Sequence, residues 1–84
     1  MPANLGLFRH YLMNYLKKVP EINIDKGILV RLLQATSTGL PVEIIVYTRF
    51  PDYPAFESFQ SGLFEHIYSI LHVFELSAFQ QPTG

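Results

Sequence analysis

Two aliphatic runs separated by a turn are the feature of this sequence that most constrains its fold. The runs are Ile28–Leu33 and Val42–Thr48, and the stretch between them, Ala35–Pro41, is rich in the Ser, Thr, Gly and Pro typical of turns. Aliphatic and β-branched residues fill most positions of both runs, which is typical of strands. The sequence therefore predicts a β-hairpin from Gly27 to Arg49.

The side chains of a strand alternate between its two faces, so position number separates the faces of this hairpin. The even-numbered residues of both runs are apolar apart from Thr48. We expect helices to cover this apolar face. The odd-numbered residues form a second, mixed face, which we expect a partner or a second layer to cover. The mixed face includes the polar and charged residues Arg31, Glu43, Tyr47 and Arg49.

The predicted turn contains Gly39 directly before Leu40 and Pro41. Glycine takes positive φ angles at low steric cost, so we expect a positive φ at Gly39. The neighbouring Ser37 and Thr38 do not indicate a phosphate site, because the turn joins two strands and no P-loop lysine follows it.

An amphipathic helix is predicted before the hairpin, between Asn4 and Val19. Asn4 is the predicted N-cap. Lys17 and Lys18 suit a helix C-terminus, and Pro20 cannot continue the helix. The apolar residues recur at steps of three and four, the spacing of one helical face: Leu5, Phe8, Leu12, Tyr15, Leu16 and Val19.

Two connecting segments flank the hairpin. In residues 20–27 either Ile22 or Ile24 is expected to pack against the first helix and be buried there. After the hairpin, Asp52 is the predicted N-cap of a second helix, with Pro54 in its first turn.

The second helix has the clearest periodicity in the chain and is expected to run for about 20 residues, or roughly 30 Å. Its flank carries a second apolar strip, Phe64, Tyr68 and Leu71, which the hairpin alone would leave uncovered. The main stripe consists of Phe56, Phe59, Leu63, Ile67, Ile70 and Phe74.

The segment Leu76–Gln80 alternates in polarity and is predicted to be a short last strand. The predicted order is then α-β-β-α-β. We interpret the chain as one α+β domain over residues 1–84, a two-layer α/β sandwich equivalent to a ferredoxin-like unit that lacks its first strand.

The composition limits the kinds of partner that the chain is expected to bind. Of 84 residues, 49% are hydrophobic and only 15% are charged, which favours burial of some apolar surface by another chain. The net charge of −1 and the lack of a basic cluster beyond Lys17 and Lys18 argue against nucleic acid as a partner. The absence of cysteine excludes disulfides, thiolate ligands and a cysteine nucleophile.

Few side chains in the sequence are suited to catalysis or metal binding. His66 and His72 lie six positions apart on the second helix, so they project from different sides and would not share a metal ion. His66 is interpreted as a hydrogen-bonded packing residue at the edge of the apolar stripe. We therefore expect a protein that is not an enzyme, with no catalytic residue, no cofactor and no metal ion.

Five short runs, in order, resemble the cytoplasmic C-terminal domain of the bacterial small-conductance mechanosensitive channel family, and its miniconductance branch most closely. The resemblance covers nearly the whole chain. The runs are Asn4–Tyr11, Val30–Arg31 with Gln34, Thr38–Ile44, Gly62–His66 and Phe79–Gly84.

This resemblance implies a fragment of a longer membrane protein whose membrane spans lie upstream. The parent channel would be a homo-oligomer, heptameric in well-known members, at the cytoplasmic face of the bacterial inner membrane. The chain would then form part of a vestibule wall below the pore. Such domains carry no catalytic residues, so the resemblance implies structural positions only.

Self-association is the expected mode of partnership. The candidate oligomer interface combines the flank of the second helix with the mixed face of the hairpin. Its residues are Phe64, Tyr68, Leu71, Arg31 and Tyr47.

Two other function classes stay open. A stand-alone ferredoxin-like module that binds a small regulatory molecule would have the same fold, because fold alone does not specify function. A small enzyme is a third alternative that the thin inventory of chemical groups disfavours. Saturable binding of a metabolite would favour the regulatory module, and membrane spans encoded upstream would favour the channel.

Overall fold

The computed structural model describes residues 2–78, which form two α-helices and a two-stranded antiparallel sheet. The predicted mixed α and β class is therefore correct at this level. Two short 3₁₀ helices, at Ile24–Lys26 and Leu71–Phe74, complete the regular structure of these residues. The main elements are helix α1 (Pro2–Lys17), strand β1 (Leu29–Leu32), strand β2 (Val42–Ile45) and helix α2 (Tyr53–Ile70).

Helix α1 begins at Pro2 and ends at Lys17, so the predicted N-cap at Asn4 is wrong. Proline has a fixed φ and no backbone N–H, which suits the first turn of a helix, and the helix therefore starts earlier than its polar side chain indicated. Asn4 lies inside the helix, where its side-chain nitrogen is 3.5 Å from Oε1 of Glu75.

The core lies between α1 and the apolar face of the hairpin. Leu12 and Leu16 of α1 are fully buried, and α1 packs on β1 beside the buried Val30. Ile22 is buried, whereas Ile24 is 54% exposed, which settles the alternative left open for the connection. The remaining buried residues are Phe8 and Ile67.

The predicted hairpin is confirmed, with Val30 opposite Ile44 and Arg31 opposite Glu43. The strands are shorter than the aliphatic runs because the residues after Ile45 no longer pair with β1. The Asn23 N–H donates to the carbonyl of Tyr47 at 2.7 Å, and Ile22 pairs with Thr48. The second half of the run thus pairs with the connection that precedes the hairpin rather than with β1.

The tip of the hairpin is a tight turn between Thr36 and Gly39. The Thr36 N–H donates to the Gly39 carbonyl at 2.8 Å, and the Gly39 N–H donates back at 3.3 Å. Gly39 has a φ of 145°, so the predicted positive φ is confirmed.

Helix α2 starts as the sequence predicts, because the Asp52 side chain accepts a hydrogen bond from the Ala55 N–H at 2.9 Å. It runs for 18 residues and passes into the 3₁₀ helix. The helical segment closes at Glu75, whose φ of 57° is left-handed. The predicted length is therefore close to the length of the α-helix and its 3₁₀ extension together.

Residues 76–78 are not in a strand, so the prediction of a last strand is wrong for this part of Leu76–Gln80. The Leu76 N–H donates to the Leu71 carbonyl at 3.0 Å, which ties the chain to the helix end instead of to a neighbouring strand. Positions 79 and 80 lie outside the described residues, as does the resembling run Phe79–Gly84.

Candidate functional site

The flank of α2 presents an uncovered apolar strip, as the sequence predicts. Phe64 is 44% exposed and Tyr68 is 60% exposed. Their rings stack with centroids 6.2 Å apart and an angle of 18° between planes. Ile67 is the buried residue of α2; Tyr68 follows it directly, and Phe64 precedes it by three positions, the spacing of neighbours on a helix surface.

This strip forms one wall of a groove of about 590 Å³. The hairpin turn and β2 form the opposite wall, and α1 contributes Phe8 and Leu12. No charged side chain is among the described residues that line it. The described lining of the groove is therefore uncharged and mainly apolar, with hydroxyl groups at Thr36, Thr38, Tyr68 and Ser77.

The edge of β2 beside the groove pairs with no strand within residues 2–78. The Leu33 N–H donates to the Pro41 carbonyl at 3.0 Å, so in the alternating antiparallel pattern Glu43 and Ile45 also direct their backbone groups toward β1. Val42 and Ile44 then direct theirs to the other edge. Within residues 2–78 the sheet holds β1 and β2 alone, so no strand covers that edge.

The five predicted interface residues fall on two separate surfaces. Phe64, Tyr68 and Leu71 line the groove together. Arg31 and Tyr47 are exposed odd-numbered residues of the hairpin, on the face opposite the groove-lining Val42 and Ile44. The structure therefore brings together the three residues of α2 and separates them from the two residues of the hairpin.

On that mixed face, Arg31 makes an ion pair with Glu43 across the two strands. The flanking aliphatic pair, Leu29 and Ile45, is also exposed. An ion pair on an exposed sheet face contributes little to stability, so its main effect is to neutralise both charges on an otherwise apolar surface.

His66 lies in the seam between α1 and α2. Its Nε2 shares a hydrogen bond of 2.9 Å with the hydroxyl of Tyr11, and its ring stacks on Tyr15 with centroids 4.1 Å apart. This geometry agrees with a packing role. The sequence did not identify Tyr11 and Tyr15 as the partners of His66, although their spacing of four residues in α1 places them on one face.

The other candidate groups do not cluster, although Thr38 also lines the groove. His72 is exposed, and no three His, Cys, Asp or Glu side chains within residues 2–78 could together hold a metal ion. Ser37 and Thr38 lie at the exposed hairpin tip. In the same part of the chain, no helix has the length and apolar character needed to cross a membrane.

Several groove residues were missed in the sequence. Leu40 and Pro41 were interpreted only as part of a turn, and Ser77 and Ala78 as part of a strand. Their polarity is unremarkable, so no local signal marked them. Only the approach of the hairpin tip to the end of α2 places them in one groove.

No protein-family model matches the chain, and no solved structure matches it with significance.

Proposed function

We propose that the chain is a non-catalytic wall and assembly domain of a bacterial mechanosensitive channel of the small-conductance family, in its miniconductance branch. The support is the ordered resemblance. Asn4–Tyr11 lies in α1, Thr38–Ile44 spans the hairpin tip and β2, and Gly62–His66 lies in α2. These runs thus fall on the elements that surround the groove.

In this proposal the domain belongs to a homo-oligomer, a heptamer by resemblance, at the cytoplasmic face of the inner membrane. The membrane spans belong to an upstream part of the same polypeptide. No cofactor takes part, because the domain acts through subunit packing.

The finer fold is part of the proposal. The observed order α1, β1, β2, α2 matches the middle of a ferredoxin-like unit. The unit would be completed by a first strand upstream of the chain and by a last strand that extends beyond residue 78. The open edge of β2 supports this arrangement.

The structural observation that supports the assembly role is the exposed apolar strip of α2. Phe64 and Tyr68 are both large and more than two-fifths exposed on a chain with few charges. Exposed contiguous apolar surface of this kind marks interaction sites. A neighbouring subunit would bury the strip and remove it from water.

The test is a double charge substitution, Tyr68→Glu with Leu71→Glu, in the full-length channel. Burying two unpaired carboxylates at a subunit contact would cost several kcal/mol. We expect lower oligomer yield on size analysis of detergent-solubilised protein, and fewer active channels in patch-clamp recordings.

His66→Gln is the matched control, because His66 lies in the intramolecular seam with Tyr11 and Tyr15 rather than on the strip. It should leave oligomer yield and channel number nearly unchanged. A fully assembled, normally gating channel from the double variant would refute the packing role of the strip. Loss of gating from His66→Gln alone would refute the packing role of that histidine.

A regulatory module that binds a small molecule is the second candidate, and the groove itself favours it. Its volume of about 590 Å³ lies within the range of about 300–1,000 Å³ common for ligand pockets. Screening the isolated chain against a metabolite collection by NMR distinguishes the two functions. Saturable shifts confined to groove residues such as Leu12 and Ile44 would favour the regulatory module.

A further inference from the structure

We propose that the mixed face of the hairpin binds the same face of a second copy of this chain, related by a two-fold axis parallel to the strands. The contact lies on the side of the sheet opposite the groove, so it leaves the apolar strip of α2 free for the neighbouring subunit proposed above. It rests on the hairpin alone and holds whether or not the chain belongs to a channel.

The mixed face is a second apolar surface that remains in contact with water. Leu29 and Ile45 lie directly opposite each other in the two strands, and they are 40% and 38% exposed. Leu33, nearer the hairpin tip, and Tyr47, nearer its base, are exposed as well. Large apolar side chains that are contiguous and exposed mark an interaction site, so this face is expected to bind a partner.

One charged pair restricts what can cover this face. Arg31 and Glu43 lie directly opposite each other, between Leu33 and the pair of Leu29 and Ile45, and they form an ion pair. An uncharged cover would take both ions out of water and give neither a new partner, which is unfavourable. The favoured occupant therefore places an acidic group over Arg31 and a basic group over Glu43, with apolar side chains beside them.

A second copy of the hairpin has this arrangement. A half-turn about an axis parallel to the strands places β1 of one copy over β2 of the other, at the same level of the hairpin. Arg31 and Glu43 share one level of the register, so each lies over its opposite charge in the second copy. Leu29 lies over Ile45 in the same way. A half-turn about an axis across the strands sets β1 over β1 instead, so it never brings Arg31 over Glu43.

The mixed face is small, so the dimer is expected to be weak. A standard interface has roughly 20–30 residues on each side, far more than one hairpin face supplies. We expect a dissociation constant of about 0.1–1 mM for the 84-residue chain. The residues that would face the second copy are Leu29, Arg31, Leu33, Glu43, Ile45 and Tyr47.

The first test reverses one charge at a time. Arg31→Glu makes the face doubly acidic, and Glu43→Arg makes it doubly basic. Each variant loses the same ion pair within its own hairpin. Self-association is measured by sedimentation equilibrium and by chemical-shift changes on dilution. Each variant alone should dimerise at least about tenfold more weakly than the unmodified chain, because like charges then face each other.

Mixing the two variants separates a contact between copies from an effect on folding. An equimolar mixture should form a heterodimer at least as stable as the original dimer, because an acidic face then meets a basic one. Loss of the ion pair within the hairpin does not produce such a rescue. The double variant, Arg31→Glu with Glu43→Arg, carries both exchanged charges and should dimerise like the unmodified chain.

A matched pair of tyrosine variants tests which side of the sheet is used. Tyr47 is 49% exposed on the mixed face, and Tyr68 is 60% exposed on the groove side. Tyr47→Ser should weaken the dimer by about tenfold, because a large aromatic contact is lost. Tyr68→Ser should leave it unchanged. Both side chains are exposed, so neither variant is expected to unfold the domain.

Four results would overturn the proposal. The first is a monomer at about 2 mM, where a dimer of the expected affinity would be well populated. The second is self-association that the single charge reversals leave unchanged. The third is a dimer weakened by Tyr68→Ser and not by Tyr47→Ser, which would assign self-association to the strip of α2 and support the assembly role proposed above. The fourth is protection of the Leu29 and Ile45 side chains from solvent probes at every protein concentration, which would mean that the chain covers its own mixed face.

Discussion

Helices α1 and α2 both have a regular apolar stripe but differ in how much of the stripe is buried. On α1, Phe8, Leu12 and Leu16 are buried, two of them completely. On α2, which has the clearer periodicity in sequence, only Ile67 is buried, at 8% exposure. A regular stripe thus predicts a helix and its orientation, and leaves open whether a partner covers it.

The difference arises from what faces each helix. Helix α1 packs on β1 and on the connection that holds Ile22, so its stripe is covered from two sides. Helix α2 faces the groove beside the edge of β2 that no strand of residues 2–78 covers. Burial of apolar area is the main stabilising term in folding, so most of the stability should come from the α1 half.

The largest expected effect is that of Leu12→Ala in α1. Leu12 is fully buried, so losing its methyl groups and leaving a cavity should cost about 2–5 kcal/mol. Leu63→Ala, the same substitution in the partly covered stripe of α2, should cost only about 1–2 kcal/mol. Urea unfolding of both variants measures the difference in the free energy of unfolding. Equal decreases for the two variants would contradict the claim that α1 contributes more stability than α2.

An effect of intermediate size on stability is expected at the hairpin tip, which borders the groove. Gly39 has a φ of 145°, and a Cβ built there meets no atom within 4 Å. The cost of Gly39→Val is therefore conformational strain, about 1–3 kcal/mol. Gly62→Ala, in α2 and equally free of contacts, should instead stabilise by about 0.5–1 kcal/mol. Thermal midpoints that shift in the same direction would contradict this assignment.

The smallest expected effect concerns the seam that joins the two halves. His66→Gln removes the stacking on Tyr15 and should cost about 0.5–1.5 kcal/mol. His72→Gln is the control, because His72 is exposed. Chemical unfolding followed by circular dichroism compares the two variants. A loss as large as that of Leu12→Ala would mean that the seam, rather than the α1 core, dominates stability.

Much of the fold was predictable from local patterns. The Asp52 cap, the positive φ of Gly39 and the pairing of the two runs all depend on residues close in sequence, and all three are confirmed. The start of α1 was misplaced because a proline in the first turn outweighed the polar side chain of Asn4. Residues 76–78 alternate in polarity, but their backbone is tied to the helix end.

The candidate site was only partly predictable. The strip of Phe64, Tyr68 and Leu71 followed from helical spacing, and the structure places the three residues in one groove. The sequence grouped them with Arg31 and Tyr47 because all five were expected to be uncovered. Their separation depends on which side of the sheet α2 occupies, and composition and periodicity carry no information about that.

The sequence by itself determined which segments are helical or extended and which side of each is apolar, because propensity, capping and periodicity act over a few residues. Only the tertiary structure decided that Ile22 rather than Ile24 is buried, that Tyr11 and Tyr15 contact His66, and that the β2 edge beside α2 is left without a partner strand from residues 2–78. The physical reason is that these features depend on contacts between residues far apart in the chain, which form only when the elements pack together.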